Sequence, residues 1–211
     1  MKIIGFLGSP RVKGICCRLL QAVLDGAQSR GAVVHRIDLI KQNIQHCMGC
    51  CKCIFDDPLL PIGRCPIKDD MKEILEEYAA ADGYVFASPV YDGSVTALMK
   101  KFMERKFGLA HRSPEAHATI CAARVPAEFK KKAVMLVTGN CPDEYREVMG
   151  DPCFELMGAD WMIEQVETTG QLYVGGVETL TETETADRLE KAFEMGRDMV
   201  DKIEQERNAS E

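Results

Sequence analysis

No apolar run in this 211-residue chain approaches the roughly 18 residues needed to cross a bilayer. The first apolar stretch stops at Gly8-Ser9-Pro10-Arg11, too soon for an anchor or a secretory leader. A cytoplasmic protein with no membrane partner is therefore expected. Positive charge is also short, with 26 Lys and Arg against 33 Asp and Glu, a formal net charge of -7. Binding to nucleic acid or anionic lipid rests on basic patches and displaced counterions, so no nucleic-acid partner is expected. Of the four histidines, His35, His111 and His117 show no metal-ligand spacing and His46 beside Cys47 reads as structural or exposed, and there is no Ser-His-Asp signature, internal repeat or low-complexity tract. The Gly-x-Gly-x-x-Gly and Walker phosphate loops are missing too.

What remains is a globular composition, 46% hydrophobic and 28% charged. The length suits one domain over 1–211 with added segments, at about 150 residues per domain. Strand and helix patterns alternate, which is how a parallel sheet covered on both faces reads in sequence. Strands are expected at Lys2–Leu7, Val33–Asp38, Gly83–Ser88, Lys132–Thr138 and Trp161–Thr168. Helices are expected over Ile15–Arg30 (ended by Gly31), Asp69–Ala80, Thr96–Arg105, Asp143–Gly158 and Thr183–Arg207. Asp70 is a candidate cap with Glu73 three residues on. A cysteine-rich loop fills 41–68, and 106–131 reads as an insertion with little pattern. The fold class is α/β, a doubly wound five-stranded parallel sheet.

Such sheets bind ligands beyond the carboxyl ends of the strands where the winding reverses. In the strand order 2-1-3-4-5, that point lies between strands one and three. The loop after the first is Gly8-Ser9-Pro10-Arg11-Val12-Lys13-Gly14, which feeds a helix N-terminus. Free N–H groups, the helix dipole and Ser9, Arg11 and Lys13 there suit one phosphate group. The loop after the third is Ser88-Pro89-Val90-Tyr91-Asp92-Gly93-Ser94, where Tyr91 offers an aromatic face to a planar ring.

Ten cysteines are too few for a disulfide scaffold in a chain this long, but five of them fall between Cys47 and Cys65. Cys47, Cys50 and Cys53 repeat the two-residue gaps of a bacterial ferredoxin motif, and Cys65-Pro66 repeats its ending after eleven intervening residues. Four such thiolates can hold a [4Fe-4S] cluster. Zinc, and free or disulfide-switching thiols, stay open as alternatives, and Cys51 is an additional thiol beside them. Cys16 and Cys17 stand at a helix start, where a thiol pKa would fall. Cys121, Cys141 and Cys153 read as small buried hydrophobes.

Three segments together resemble the flavodoxin-fold NADPH-dependent FMN reductase family, and within it the iron-sulfur flavoproteins. They are Gly8-Ser9-Pro10-Arg11, the cysteine set followed by Asp69-Asp70-Met71, and Ala87-Ser88-Pro89-Val90-Tyr91 leading to Lys100 and Glu104-Arg105. The resemblance implies a noncovalent FMN. Its phosphate would lie on Ser9, Arg11 and the backbone of Gly14, Ile15, Cys16 and Cys17, and its ring on Pro89, Val90 and Tyr91, beside Asp92 and Gly93. Thr138, Gly139 and Asn140 would share that edge. It also implies an oxidoreductase moving electrons from ferredoxin or NAD(P)H to a small-molecule acceptor, with Cys47, Cys50, Cys53 and Cys65 on a cluster. A homodimer or homotetramer is implied too, with 106–131 as candidate interface. The family commonly ends its phosphate loop in Gly-Asn-Thr or Gly-Asn-Ser, whereas this chain has Gly14-Ile15-Cys16-Cys17. The lost hydroxyl donor leads to an expectation of weaker FMN retention. The other reading is a thiol-sensing or zinc-binding module that has lost flavin.

Overall fold

Strands buried on both faces read as near-continuous apolar runs. The central strands of this chain do so and are flanked by amphipathic helices. The structure is a computed structural model that describes residues 1–112, 121–124, 130–159 and 164–210. Its elements, in chain order, are β1 (Lys2–Leu7), α1 (Ile15–Ser29), β2 (Val33–Asp38), α2 (Met71–Ala80), β3 (Gly83–Tyr91), β4 (Ser94–Val95), α3 (Ala97–Glu104), β5 (Ala110–His111), β6 (Ala122–Ala123), β7 (Lys131–Thr138), α4 (Asp151–Gly158), β8 (Val166–Val174) and α5 (Glu182–Ser210).

The main sheet runs β2-β1-β3-β7-β8, and the short β4 pairs with β3. The five long strands are parallel and follow the expected order 2-1-3-4-5. The sheet has six strands rather than five, because β4 turns back antiparallel on β3. Alternate residues face opposite sides, as the two-residue period of a strand requires. Ile3, Leu7, Val85, Leu136 and Val200 share one core with α1 and α5. Ile4, Phe6, Phe86, Met135 and Phe154 share the other with α2, α3 and α4.

Helices α1 and α5 meet where neither has a side chain. A Cβ on Gly26 would lie 2.0 Å from the Phe193 carbonyl oxygen, and one on Gly196 would lie 2.0 Å from that of Val23. Either methyl must push one helix backbone off the other. Gly196→Ala is expected to lower stability by about 1–3 kcal/mol, the usual range for overpacking. A urea midpoint that falls at unchanged slope is the reading to look for.

Several sequence expectations shift. The side chain that caps α2 is Asp69, whose Oδ1 accepts the Met71 N–H at 3.2 Å. Asp70 instead accepts the Asn43 N–H at 2.7 Å, tying the cysteine-rich loop to the helix start. The expected helix 143–158 is three pieces: a 3-10 turn (Asp143–Tyr145), a π turn (Arg146–Gly150) and α4, with Pro152 in its first turn where no N–H is needed. The fifth strand runs Val166–Val174, later than expected, and Trp161 lies outside the described residues. Its first half is an exposed edge that lacks the apolar pattern of a buried strand. Of 106–131, residues 113–120 and 125–129 lie outside the described residues, as does His117. Arg105–Leu109 forms a 3-10 turn, and β5 pairs antiparallel with β6. No helix among the described residues is long and apolar enough to cross a membrane.

Candidate functional site

Because β2 lies on one side of β1 and β3 on the other, the chain must wind in opposite directions from β1, leaving a crevice at the strands' carboxyl ends. A cleft of about 470 Å³ opens there. Ser9, Arg11, Gly14, Ile15 and Cys16 line one end, Pro89, Val90, Tyr91, Asp92 and Gly93 one wall, and Thr138, Gly139 and Asn140 the opposite wall. The site residues expected from sequence converge there with one exception. Cys17 turns away from the cleft, and its thiol donates to the Val12 carbonyl at 2.8 Å.

The phosphate end is a bare helix start. Gly14 precedes α1 in an extended conformation, no side chain caps the helix, and no acid stands in its first turn. The N–H groups of Ile15, Cys16 and Cys17 have no intrahelical acceptor by the geometry of an α-helix. Ser9 is buried, and its Oγ accepts the Arg11 N–H at 3.1 Å, which curls the loop back on itself. Thr96, the cap of α3, donates to the Gly8 carbonyl and so fastens that helix to the loop. This anion seat fits a phosphate. The Cys16 thiol is not activated: burial, against a weaker pull from the Thr138 hydroxyl, pushes its pKa up to about 12. The lowered pKa expected of a thiol at a helix start is overturned, because this side chain is buried whereas the dipole acts through exposed amides.

The aromatic wall owes its shape to a turn. Asp92 (φ 51°) and Gly93 (φ 69°) both adopt positive φ between paired residues Tyr91 and Ser94, which makes a two-residue type I′ hairpin. That hairpin continues β3 past Ser88 and lays Pro89, Val90 and half-exposed Tyr91 along the cleft.

Five lining residues were missed: Cys141, Met149, Tyr173, Val177 and Glu178. Cys141 is a cleft residue, not the buried hydrophobe expected, and its carbonyl accepts the Tyr173 hydroxyl at 2.9 Å. Gly175 lets the chain after β8 close here, since a Cβ would stand 2.3 Å from the Cys141 oxygen. Once the fifth strand is placed too early, nothing local signals that 173–178 reach this edge.

A second cavity, about 100 Å³, is lined by Cys47, Cys50, Cys51, Cys53 and Cys65 with Ile54, Leu75, Arg105 and Phe107. Burial raises the Cys53 pKa, and Cys65, Cys47 and Cys50 add to that rise, so those three thiols lie within electrostatic reach of Cys53. Gly49 (φ 63°) and Cys51 (φ 57°) make the tight turn, and the Gly49 N–H points to Cys47 Sγ at 3.5 Å. Arg105 is buried at the end of α3; its Nη2 donates to Cys65 Sγ at 3.5 Å and to Asp69 Oδ1 at 3.0 Å, and its Nη1 to the Gln45 carbonyl at 2.8 Å. Among the described residues, no three His, Cys, Asp or Glu side chains converge closely enough for one metal ion.

The family model described as NADPH-dependent FMN reductase matches residues 1–145, which takes in the phosphate loop, the cysteine set and the aromatic wall. The chain belongs to the NADPH-dependent FMN reductase family. Among its sequence relatives are an "Iron-sulfur flavoprotein" of Archaeoglobus fulgidus, 37% identical over 112 residues (53% of this chain, 48% of the relative), and one of Methanosarcina thermophila, 34% identical over 113 residues (54% of this chain, 56% of the relative). The chain spans about half the length of the relatives it matches, 48% and 51% for two of them. In fold it is similar to the NAD(P)H:quinone oxidoreductase from Methanothermobacter marburgensis, with TM-score 0.69, 19% identity and coverage of 93% of this chain and 98% of that one. It is also similar to an FMN-dependent NADH-azoreductase from Bacillus anthracis solved with FMN, with TM-score 0.68, 13% identity and coverage of 95% and 100%. In this reductase-family chain, the matched region ends just before the π turn and β8, so Met149, Tyr173, Val177 and Glu178 of the cleft come from residues beyond it.

Proposed function

We propose that this chain is an FMN-dependent oxidoreductase of the iron-sulfur flavoprotein type, moving electrons between a donor (ferredoxin or NAD(P)H) and a small acceptor. The observation that carries it is the cleft itself: an uncapped helix start with Ser9 and Arg11 at one end and Pro89–Tyr91 along a wall, in about 470 Å³. That is within the usual size range of cofactor pockets.

Arg11 and the backbone N–H groups of Ile15 to Cys17 would hold the FMN phosphate, and the amides take over from the hydroxyl that the loop lacks. Pro89, Val90 and Tyr91 would orient the ring. Bound FMN supplies hydride and single-electron chemistry, for which the protein sets orientation and potential. Cys16, kept neutral by burial, stays out of that chemistry. Cys47, Cys50, Cys53 and Cys65 would hold a [4Fe-4S] cluster, whose part is one-electron transfer. Four thiolates at one cavity are the donor set such a cluster takes, and zinc is the other centre that would suit them. Helix α3 ties the two sites together. Its cap bonds the phosphate loop and its last turn leads to Arg105, over about 12 Å at 1.5 Å per residue. The flavin-free sensing module is not favoured, since the family match and the open phosphate seat both support flavin. A homodimer or homotetramer and a cytoplasmic location belong to the same reading.

The first test is the visible spectrum of protein purified without oxygen. Flavin bands over a broad absorbance that bleaches on reduction support both cofactors, whereas a colourless protein that takes up no FMN overturns the reading. Arg11→Ala is expected to weaken FMN binding at least about tenfold, the worth of a hydrogen bond to a charged group. Cys65→Ser should leave it unchanged. Flavin fluorescence titration checks both, and equal affinity in wild type and Arg11→Ala would remove the phosphate assignment.

A further inference from the structure

The described part of segment 106–131 packs on the chain's own cysteine-rich loop. Gly63 donates to the Gly108 carbonyl at 2.7 Å and Arg112 N–H to the Ile54 carbonyl at 2.8 Å. The centre of this contact is Arg124, which follows β6 and is 7% exposed. Its Nη2 donates to the carbonyls of Cys53 (2.7 Å) and Asp56 (3.3 Å), its Nη1 to those of Asp57 (2.6 Å) and Leu60 (3.4 Å), and its Nε to that of Ala110 (2.8 Å). One planar guanidinium thus gathers four carbonyls of the turn that begins at Cys53, plus one from β5. Gly63 permits the closure: a Cβ there would lie 1.9 Å from the Cys53 oxygen and 2.9 Å from Arg124 Nη2.

Among the described residues, no carboxylate pairs with the charge on Arg124. All five acceptors are neutral carbonyls. The nearby carboxylates are engaged elsewhere, Asp56 with Arg64 and Asp57 with the Leu59 N–H. Arg105, the other buried guanidinium at this loop, is already neutralised by Asp69. A buried charge left without a counter-charge is costly, so its position directly behind Cys53 calls for an anion on the cysteine side. Four thiolates around an iron-sulfur core leave the centre net negative, and one-electron reduction adds one more negative charge.

We infer that Arg124 is a positioning residue for the cysteine-ligated centre: its fork shapes the Cys53–Leu60 turn, and its charge favours the reduced, more negative state. This rests on the iron-sulfur reading above. The step is the gain of one electron from the external donor by the centre, with no bond made or broken.

The test uses the full chain reconstituted without oxygen with ferrous iron and sulfide, as wild type, Arg124→Lys and Arg124→Met. Iron and acid-labile sulfide per chain, the midpoint potential of the centre and FMN affinity are measured on each. Lys keeps the charge but cannot reproduce the fork. The expected result is reduced iron uptake in both variants, with the potential near wild type in Arg124→Lys. In Arg124→Met the reduced-to-oxidised ratio at the wild-type midpoint should fall about tenfold, which is about 59 mV for a one-electron couple. Unchanged FMN affinity shows that the variants have folded. Iron loss in both variants with unmoved potentials overturns the inference, since the charge would then do nothing, and so do wild-type iron content and potential in both. If Arg124→Met does not fold, an Arg124→Lys protein with full iron still overturns it. Wild type that takes up no iron and sulfide overturns the iron-sulfur reading and this inference together, an outcome seen before any variant is compared.

Discussion

Asp69→Ala is expected to lower the unfolding free energy by about 3–5 kcal/mol, the cost of stranding one member of a buried ion pair. The side chains of Asp69 and Arg105 are 0% and 2% exposed. Removing the carboxylate leaves the Arg105 guanidinium buried with only the Gln45 carbonyl and the Cys65 sulfur as partners. It also frees the Gln45 N–H, held at 2.8 Å, and uncaps α2 at Met71. Chemical denaturation should show the loss, and a change under about 1 kcal/mol, the size of a surface pair, would contradict the burial argument. The pair also makes stability depend on pH. Burial alone would raise the Asp69 pKa, but the bonds from Arg105, Gln45 and Met71 outweigh it and hold the carboxyl below its ordinary 3.8. A depressed folded pKa contributes stability that is complete above the unfolded value and is lost as pH falls through the folded one. Asp69→Ala should therefore show a weaker acid dependence below about pH 4 than wild type.

Cys53→Ser is expected to reduce iron content at least about tenfold while FMN binding stays intact, since removing even an indirect partner of a metal ligand costs about 10–100-fold in affinity. Cys51→Ser should keep its iron. Both thiols line the same cavity, but Cys53 belongs to the ferredoxin-like spacing of Cys47, Cys50, Cys53 and Cys65, and Cys51 stands outside it. The Cys51 thiol donates instead to the Gly49 carbonyl at 3.4 Å, within the tight turn. Iron and labile-sulfide assays on the two variants decide the ligand set. Iron loss from Cys51→Ser with retention in Cys53→Ser would reverse it.

Much of the flavin cleft was legible because its parts are local. Gly8–Gly14 and Ser88–Ser94 each carry their turn chemistry within seven residues and sit at the ends of strands with unmistakable apolar runs. At the start of the last helix, Thr181 and Glu184 three residues on bond reciprocally, Thr181 N–H to the Glu184 carboxylate and Glu184 N–H to the Thr181 hydroxyl. What failed to show was non-local. Asp69 and Asp70 are adjacent acids of equal capping propensity, and only the approach of Asn43 and Arg105 decides which one caps. Tyr173, Val177 and Glu178 were missed because the exposed first part of β8 has no apolar pattern to mark the strand.

The sequence alone carries the alternation of strand and helix, the phosphate loop, the aromatic wall and the grouping of the cysteines. Each of these depends on side-chain period, turn residues or short spacing, which are properties of neighbours in the chain. The tertiary structure alone decides that Cys16 is buried, that Cys17 leaves the cleft while Cys141 joins it, and that Arg105 and Arg124 converge on the cysteine loop. Burial and charge pairing depend on what other segments bring to a point in space, and Arg124 lies 71 residues from the carbonyl of Cys53 that it holds.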